Sequence, residues 1–441
     1  MAGPQFCPYV ECCARAERLR GRDLVKGRGS LMNRRLLLAL AAFIGVASTV
    51  AATAVAGGGG AAATLPVRST TGDTLGFTAE GGATPLADAK TIDHWSGSFA
   101  DPTNHVTYPF TMAGHAPSTN SSSTTPTDLY PVRVEFAAQG GFALDATNRV
   151  AAVKASPVFQ SNDYSYVADS SGGPGVLSPG NVGQLEDITM RSQFNKVGTG
   201  YHVLLGQPTV HATETIQVPA SKGSAFVTQT GTGVVYGLID IGWFSSRMQE
   251  ILGKTHADST HLPIVLTDDV MLFDAKTGEC CTVGYHGASN SVNGNGKQQV
   301  QTYVFAAYST RGVSASKPYI ADIHGLSHEV AEWGDDPFLN NWVNPWLTPT
   351  ALQYGCTPIL ETGDPVVGIG FNLGGNTFDT WNPNADGTWH PEDEAFLPWF
   401  ARTTPNTTSE PTQSRSANIG RYTLMGDLNP YVGFRQPATG C

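Results

Sequence analysis

The stretch 324-HGLSHEVAEWGDDP-337 holds two histidines, two glutamates and three further acids or prolines at its end, with no lysine or arginine. Drawn as a helix over 320–333 at about 100° per residue, it separates into two sides. Ile323, Leu326, Val330 and Trp333 share one of them; His324, His328, Glu329 and Glu332 take the other. The first belongs in a core and the second carries chemistry. His328 and Glu332 stand four apart, one turn, so their side chains can share a cation. Glu329 sits beside that pair. This is the spacing of H-E-x-x-H with glutamate in the last place; in the usual form the outer residues bind Zn²⁺ and the middle glutamate activates water. Gly334 and Pro337 are read as ending the helix.

Charge balance around the motif points the same way. From Pro318 to Ala401, 84 residues, there is no Lys or Arg, while the span holds twelve acids and six of the eight tryptophans. Carboxylates in an aromatic, partly buried setting need partners, because an unpaired buried charge costs several kcal/mol. A divalent cation fits that need. The competing reading is a polar helix face bathed in water.

A third ligand is sought in 360-LETGDP-365, where Glu361 is favoured and Asp364 is the alternative or a supporting partner. His324 forms a second four-residue pair with His328, an alternative ligand that would leave Gly325 in the place of the base. His390, four before Glu394 in "HPEDEAF", is a candidate transition-state donor, against the alternative of a short amphipathic helix. His286 in "CCTVGYHGAS" is read as a packed or hydrogen-bonded histidine, not a ligand. No G-x-S-x-G elbow supports serine catalysis. Zn²⁺ is the expected metal, with Ca²⁺ the alternative for an oxygen-rich site.

Residues 32–56, MNRRLLLALAAFIGVASTVAATAVA, carry a basic start, an apolar stretch and small-residue triplets, the pattern of a signal peptide cleaved before Gly57. An uncleaved anchor is the alternative. Residues 1–31 read as a non-native extension ahead of Met32, and 57–90 as a flexible leader. A β-rich region over 91–230 and a metal-site region over 231–441 follow. With the eight basic and three acidic side chains of 1–56 set aside, 18 basic and 34 acidic residues remain. That balance disfavours nucleic acid and anionic membrane as partners. Four cysteines remain as well, Cys280, Cys281, Cys356 and Cys441, which allow three pairings, one of them vicinal. Export favours oxidation.

Alternation in "YPVRVEF" places Val132, Val134 and Phe136 inward and Arg133 and Glu135 outward on a strand. "GVVYGLIDIGWF", "LPIVLTDDVMLF" and "QQVQTYVFAAYST" also read as containing strands, with helices near 184–197, 245–252 and 391–400. Mixed strands with few helices predict an α+β fold.

"LSHEVAEWGDDPF" followed by "LETGDP" resembles a family of secreted bacterial proteins with HExxE-type zincin-like sites, and is more distantly similar to plant phosphate-induced (Exordium-like) proteins with an H-E-L-A-E segment. "TIDHWSGSF", "YHVLLGQP" and "CCTVGYH" extend the likeness. The resemblance implies a zincin-like core with the motif helix under a mixed sheet, His328 and Glu332 as ligands, and Glu329 as base. His324 departs from the pattern, which has a small residue there. The resulting expectation is a secreted metal-dependent hydrolase acting on a peptide or protein, without stable membrane association after signal cleavage. The alternative is a non-catalytic, metal-stabilised surface module whose Trp342, Trp346 and Trp381 contact carbohydrate.

Overall fold

The longest apolar runs of the chain build one sheet, and its rows position the motif helix. The computed structural model describes residues 52–53, 64–69, 81–164, 167–169, 174–175, 182–228, 233–292, 296–314, 320–347, 356–380, 382, 385–403 and 422–424. Along the chain come β1 (Thr127–Phe136), α1 (Leu185–Gln193), β2 (Thr209–Val210), β3 (Gly223–Thr228) and β4 (Val235–Asp240). Then follow α2 (Ile241–Lys254), β5 (Leu262–Asp268), β6 (Val270–Phe273), β7 (Gly284–Val292), β8 (Gln298–Tyr308) and α3 (His324–Asp335). The fold is α+β, with strands outnumbering helices.

The main sheet runs β2–β1–β5–β8–β7. Its first four strands are parallel and β7 is antiparallel at the end of the order. β5 is buried at every position, as a parallel strand covered on both faces requires. One row across the sheet is Leu129, Ile264, Val304 and His286. The first three join Ile323, Leu326, Val330 and Trp333 of α3 in one core. Trp333 Nε1 also donates to Thr302 Oγ1 at 3.0 Å. The adjacent row, Tyr130, Val265, Phe305 and Tyr285, lies on the opposite face and packs with Phe244, Met248, Ile251 and Leu252 of α2. Period-two alternation thus sends Tyr285 toward α2 and His286 toward α3.

The expected inward set of β1 is observed: Val132, Val134 and Phe136 are fully buried, and Arg133 donates to Glu135 at 2.9 Å on the other side. A second sheet orders Cys280–Thr282, β6, β4, β3 and Val67–Arg68. Cys280 and Cys281 form the vicinal disulfide; the companion pairing involves Cys441, outside the described residues.

Several expectations change. The stretch 57–90 is not wholly a free leader: Leu65 is buried, Val67–Arg68 pairs with β3, and Ala83 N donates to Phe338 O at 2.8 Å. The division at 230/231 falls between the paired strands β3 and β4, and β1 pairs with β5 across it. α2 is longer than the 245–252 reading because Asp240 caps it, accepting from Trp243 N at 2.8 Å. The helix expected over 391–400 is confined to Leu397–Phe400, and α3 runs on through Gly334 to Asp335. Trp346 is buried with Nε1 donating to Ile359 O, whereas Trp342 is exposed; Trp381 lies outside the described residues. So do residues 1–31 and, apart from 52–53, the signal-like segment. Among the described residues no helix is long and apolar enough to cross a membrane.

A candidate metal centre

α3 is buried on all sides. His324, His328 and Glu329 are at 0 % exposure and Glu332 at 2 %, so the solvated-face alternative fails. The polar side meets the strand end at Gly284–His286, the turn 361–364 and the extended segment 390–396. Each meeting depends on a close approach. A Cβ at Gly284 would lie 2.6 Å from Glu329 Cγ, and one at Gly363 would overlap the His328 ring.

His328 stands between two carboxylates. Its Nε2 is 3.1 Å from Glu332 Oε1 and 3.9 Å from Asp364 Oδ1, while its Nδ1 is 3.1 Å from Glu392 Oε2. Both ring nitrogens therefore need positive charge or a proton facing an acid. Glu392 is itself well fixed: Gly368 N donates to its Oε1 at 2.8 Å, and its own N donates to Ser327 Oγ at 2.9 Å. A carboxylate on Nδ1 with Nε2 left for a cation is the common way to orient a ligating imidazole.

Three carboxylates crowd the His286 ring. His286 Nδ1 lies 3.3 Å from Glu329 Oε2, 3.5 Å from Glu332 Oε2 and 3.9 Å from Glu361 Oε2. Among the described residues, Glu329 Oε1, Asp364 Oδ1 and both oxygens of Glu361 have no hydrogen-bond donor. Gly363 N donates to Glu332 Oε1 at 3.2 Å. Two groups of buried side chains bring one ligand atom each to within 4.8 Å of the others: His328, Glu329 and Glu332, and His286, Glu332 and Glu361. These groups can hold a metal ion.

The electrostatics register the crowding. Burial pushes Glu329 up to about 7 against the opposing hydrogen bond from His286. Burial, then Glu332, carries Glu361 and Asp364 well above the carboxylate range. Burial opposes charge on His286, but its hydrogen bonds to Glu329 and Glu332 raise it to about 10; His328 is raised in the same manner by Glu332 and Glu392. With only imidazoles as basic partners, the acids compete for too few protons.

Of the residues singled out from sequence, His328, Glu329, Glu332, Glu361 and Asp364 come together. His324 turns its Nε2 to Glu392 Oε2 at 2.8 Å and serves as a second partner of that carboxylate. His390 is placed against Asp322, with Nδ1 2.6 Å from Oδ2, and its Nε2 faces Asp386 at 3.3 Å. Because 390–396 is extended, the four-residue pairing of His390 with Glu394 does not form. His286 is packed and hydrogen-bonded as expected, and its partner is Glu329. Glu392, counted from sequence only among the twelve acids, takes part as well.

Two cavities are lined by residues other than those of this cluster. One of about 390 Å³ is lined by Asn148, Arg149, Ala152, Asp268, Phe378 and Asp379, and a second of about 270 Å³ includes Arg311, Asp322 and His390. Comparison of the chain with protein-family models, with curated proteins and with solved structures returns no match.

Proposed function

We propose that the protein is a secreted metal-dependent hydrolase with a zincin-like core, acting on peptide bonds with Glu329 as general base. The observation that carries this reading is the buried His328–Glu329–Glu332 group with acids in excess and no Lys or Arg between 318 and 401. The signal-like sequence at 32–56 supports export. His328 and Glu332 would hold the ion, with Asp364 nearest on the same side. Nitrogen and carboxylate donors suit Zn²⁺. When bound, such an ion polarises a carbonyl and makes water more acidic.

The remaining work falls to the chain. Glu392 keeps a proton on His328 Nδ1, which leaves Nε2 as the ligating nitrogen. Glu329 takes a proton from the attacking water as its oxygen joins the carbonyl carbon. It returns the proton to the departing amine nitrogen as the C–N bond breaks. Glu329 Oε1, which meets no hydrogen-bond donor among the described residues, is the oxygen left to take that proton.

Glu329→Gln tests the assignment. Hydrolysis of a peptide library should fall about 10²–10⁴-fold, with the metal content of the purified protein unchanged. A second reading, a metal-stabilised extracellular module without catalysis, is favoured by burial: Asp364, its side chain 20 % exposed, is the most accessible of the donors. Bound metal in a native protein that hydrolyses no member of the library would establish that reading over the enzyme.

A further inference from the structure

The two candidate groups share one residue, and they share it through different atoms. Glu332 directs Oε1 to His328 Nε2 at 3.1 Å and Oε2 to His286 Nδ1 at 3.5 Å. Ligand atoms about 2.1 Å from one tetrahedral ion stand about 3.4 Å from each other. Both separations are of that size. We propose that the site is a two-cation centre in which Glu332 bridges the ions, one held with His328 and Asp364, the other with His286 and Glu361. This rests on the metal-site reading above and extends it from one ion to two.

Two observations lead there. First, three carboxylates converge on a single nitrogen of His286, at 3.3, 3.5 and 3.9 Å, and one proton on that nitrogen satisfies only one of them. A divalent cation placed among them answers all three at once. Second, Glu361 is 5 % exposed with neither oxygen meeting a donor among the described residues, although it points at His286. A buried carboxylate left in that state is costly unless a cation or proton meets it. Paired ions bridged by a carboxylate are an established arrangement for hydrolytic chemistry, one ion for each of the attacking and departing groups.

The chain topology explains how the second half is built. His286 ends the row Leu129–Ile264–Val304 at the position where the sheet meets α3. Gly284, two residues earlier on the same face, leaves room for Glu329 to reach across. An apolar residue at 286 would complete the row; an imidazole there has a use only if something polar is held above it.

The test is stoichiometry, read without activity. The full secreted chain is stripped with a chelator, dialysed against Zn²⁺ alone, and its metal measured per chain by elemental analysis, with folding followed by circular dichroism. About two equivalents are expected. Glu361→Gln and His286→Gln should each hold about one, and Glu332→Gln should fall below one. A native protein with one equivalent, unaltered by Glu361→Gln, overturns the second ion and leaves the His328 centre standing. A native protein with none overturns both readings. Two equivalents retained in Glu361→Gln and His286→Gln alike would overturn the assignment of ligands. The native count decides even where a variant fails to fold.

Discussion

Two groups of buried acids lie on the same sheet, and they are neutralised in opposite ways. At the C-terminal ends of β5 and β8, Arg149 Nε meets Asp268 Oδ1 at 2.7 Å, its Nη1 lies 3.6 Å from Asp379 Oδ1, and the guanidinium sits 5.1 Å from the Tyr308 ring centroid. Asp269 beside it accepts from Thr310 N and Oγ1 at 2.5 and 2.6 Å. Burial raises Asp268 to about 6, with Arg149 opposing. Under α3 the acids are more numerous, and among the described residues the basic side chains in contact with His328, Glu329, Glu332 and Glu361 are imidazoles. Where the chain supplies its own fixed cation, it partly neutralises a cluster of buried acids itself. Where it supplies histidine, the cluster is one that can hold a metal ion.

Removing the arginine should produce the largest effect. Arg149→Met leaves Asp268 buried without its partner and should destabilise the fold by about 3–5 kcal/mol, measured by urea unfolding. Adding Asp268→Asn should recover part of the loss, and zinc content should not change in either protein. Zinc loss in Arg149→Met at retained fold would show that the two clusters are not independent, and the contrast between them would break.

An intermediate effect is expected at Gly363, where the His328 ring fills the space a Cβ would occupy. Gly363→Ala should shift that ring and weaken zinc binding by about 10–100-fold, with titration against a competing chelator as the readout. Affinity equal to that of the native protein would mean that the ring position is irrelevant to the ion.

The smallest effect belongs to an exposed pair, a baseline for both clusters. Lys90 Nζ and Asp258 Oδ1 stand 2.7 Å apart with both side chains more than 40 % exposed. The hydrogen bond from Lys90, then that from Thr260 N, pulls Asp258 down to about 2 from 3.8. The folded state thus favours the charged form. Its contribution is complete above the unfolded value and fades as pH falls through about 2. Solvent screening holds it below about 1 kcal/mol. Asp258→Asn should therefore differ from the native protein by under about 1 kcal/mol at pH 7, and the difference should vanish in strong acid.

How far the sequence revealed this arrangement depended on the range of the contacts. The α+β class and the core side of α3 were legible because both follow from short periods: Val132, Val134 and Phe136 in β1, and Ile323, Leu326, Val330 and Trp333 in α3, were all placed correctly. Glu361 and Asp364 were found through their unusual density of acid, though nothing local showed that the turn folds back over His328. The packing of His286 was legible, but its partner was not, because β-sheet register brings it to Glu329, 43 residues away in sequence. Glu392 was missed because of its local structure. A helix was expected over 391–400, and the segment instead runs extended, so that its backbone bonds to Ser327 and Ile369 bring Glu392 and Asp393 under α3.

The burial of α3 on every side also has a kinetic meaning. His286, His328 and Glu332 are each at most 2 % exposed, so the exchange of an ion seated among them would be governed by how readily the surrounding chain opens. An ion lodged there would leave slowly even if its affinity were modest, and chelators would be limited by the protein's breathing.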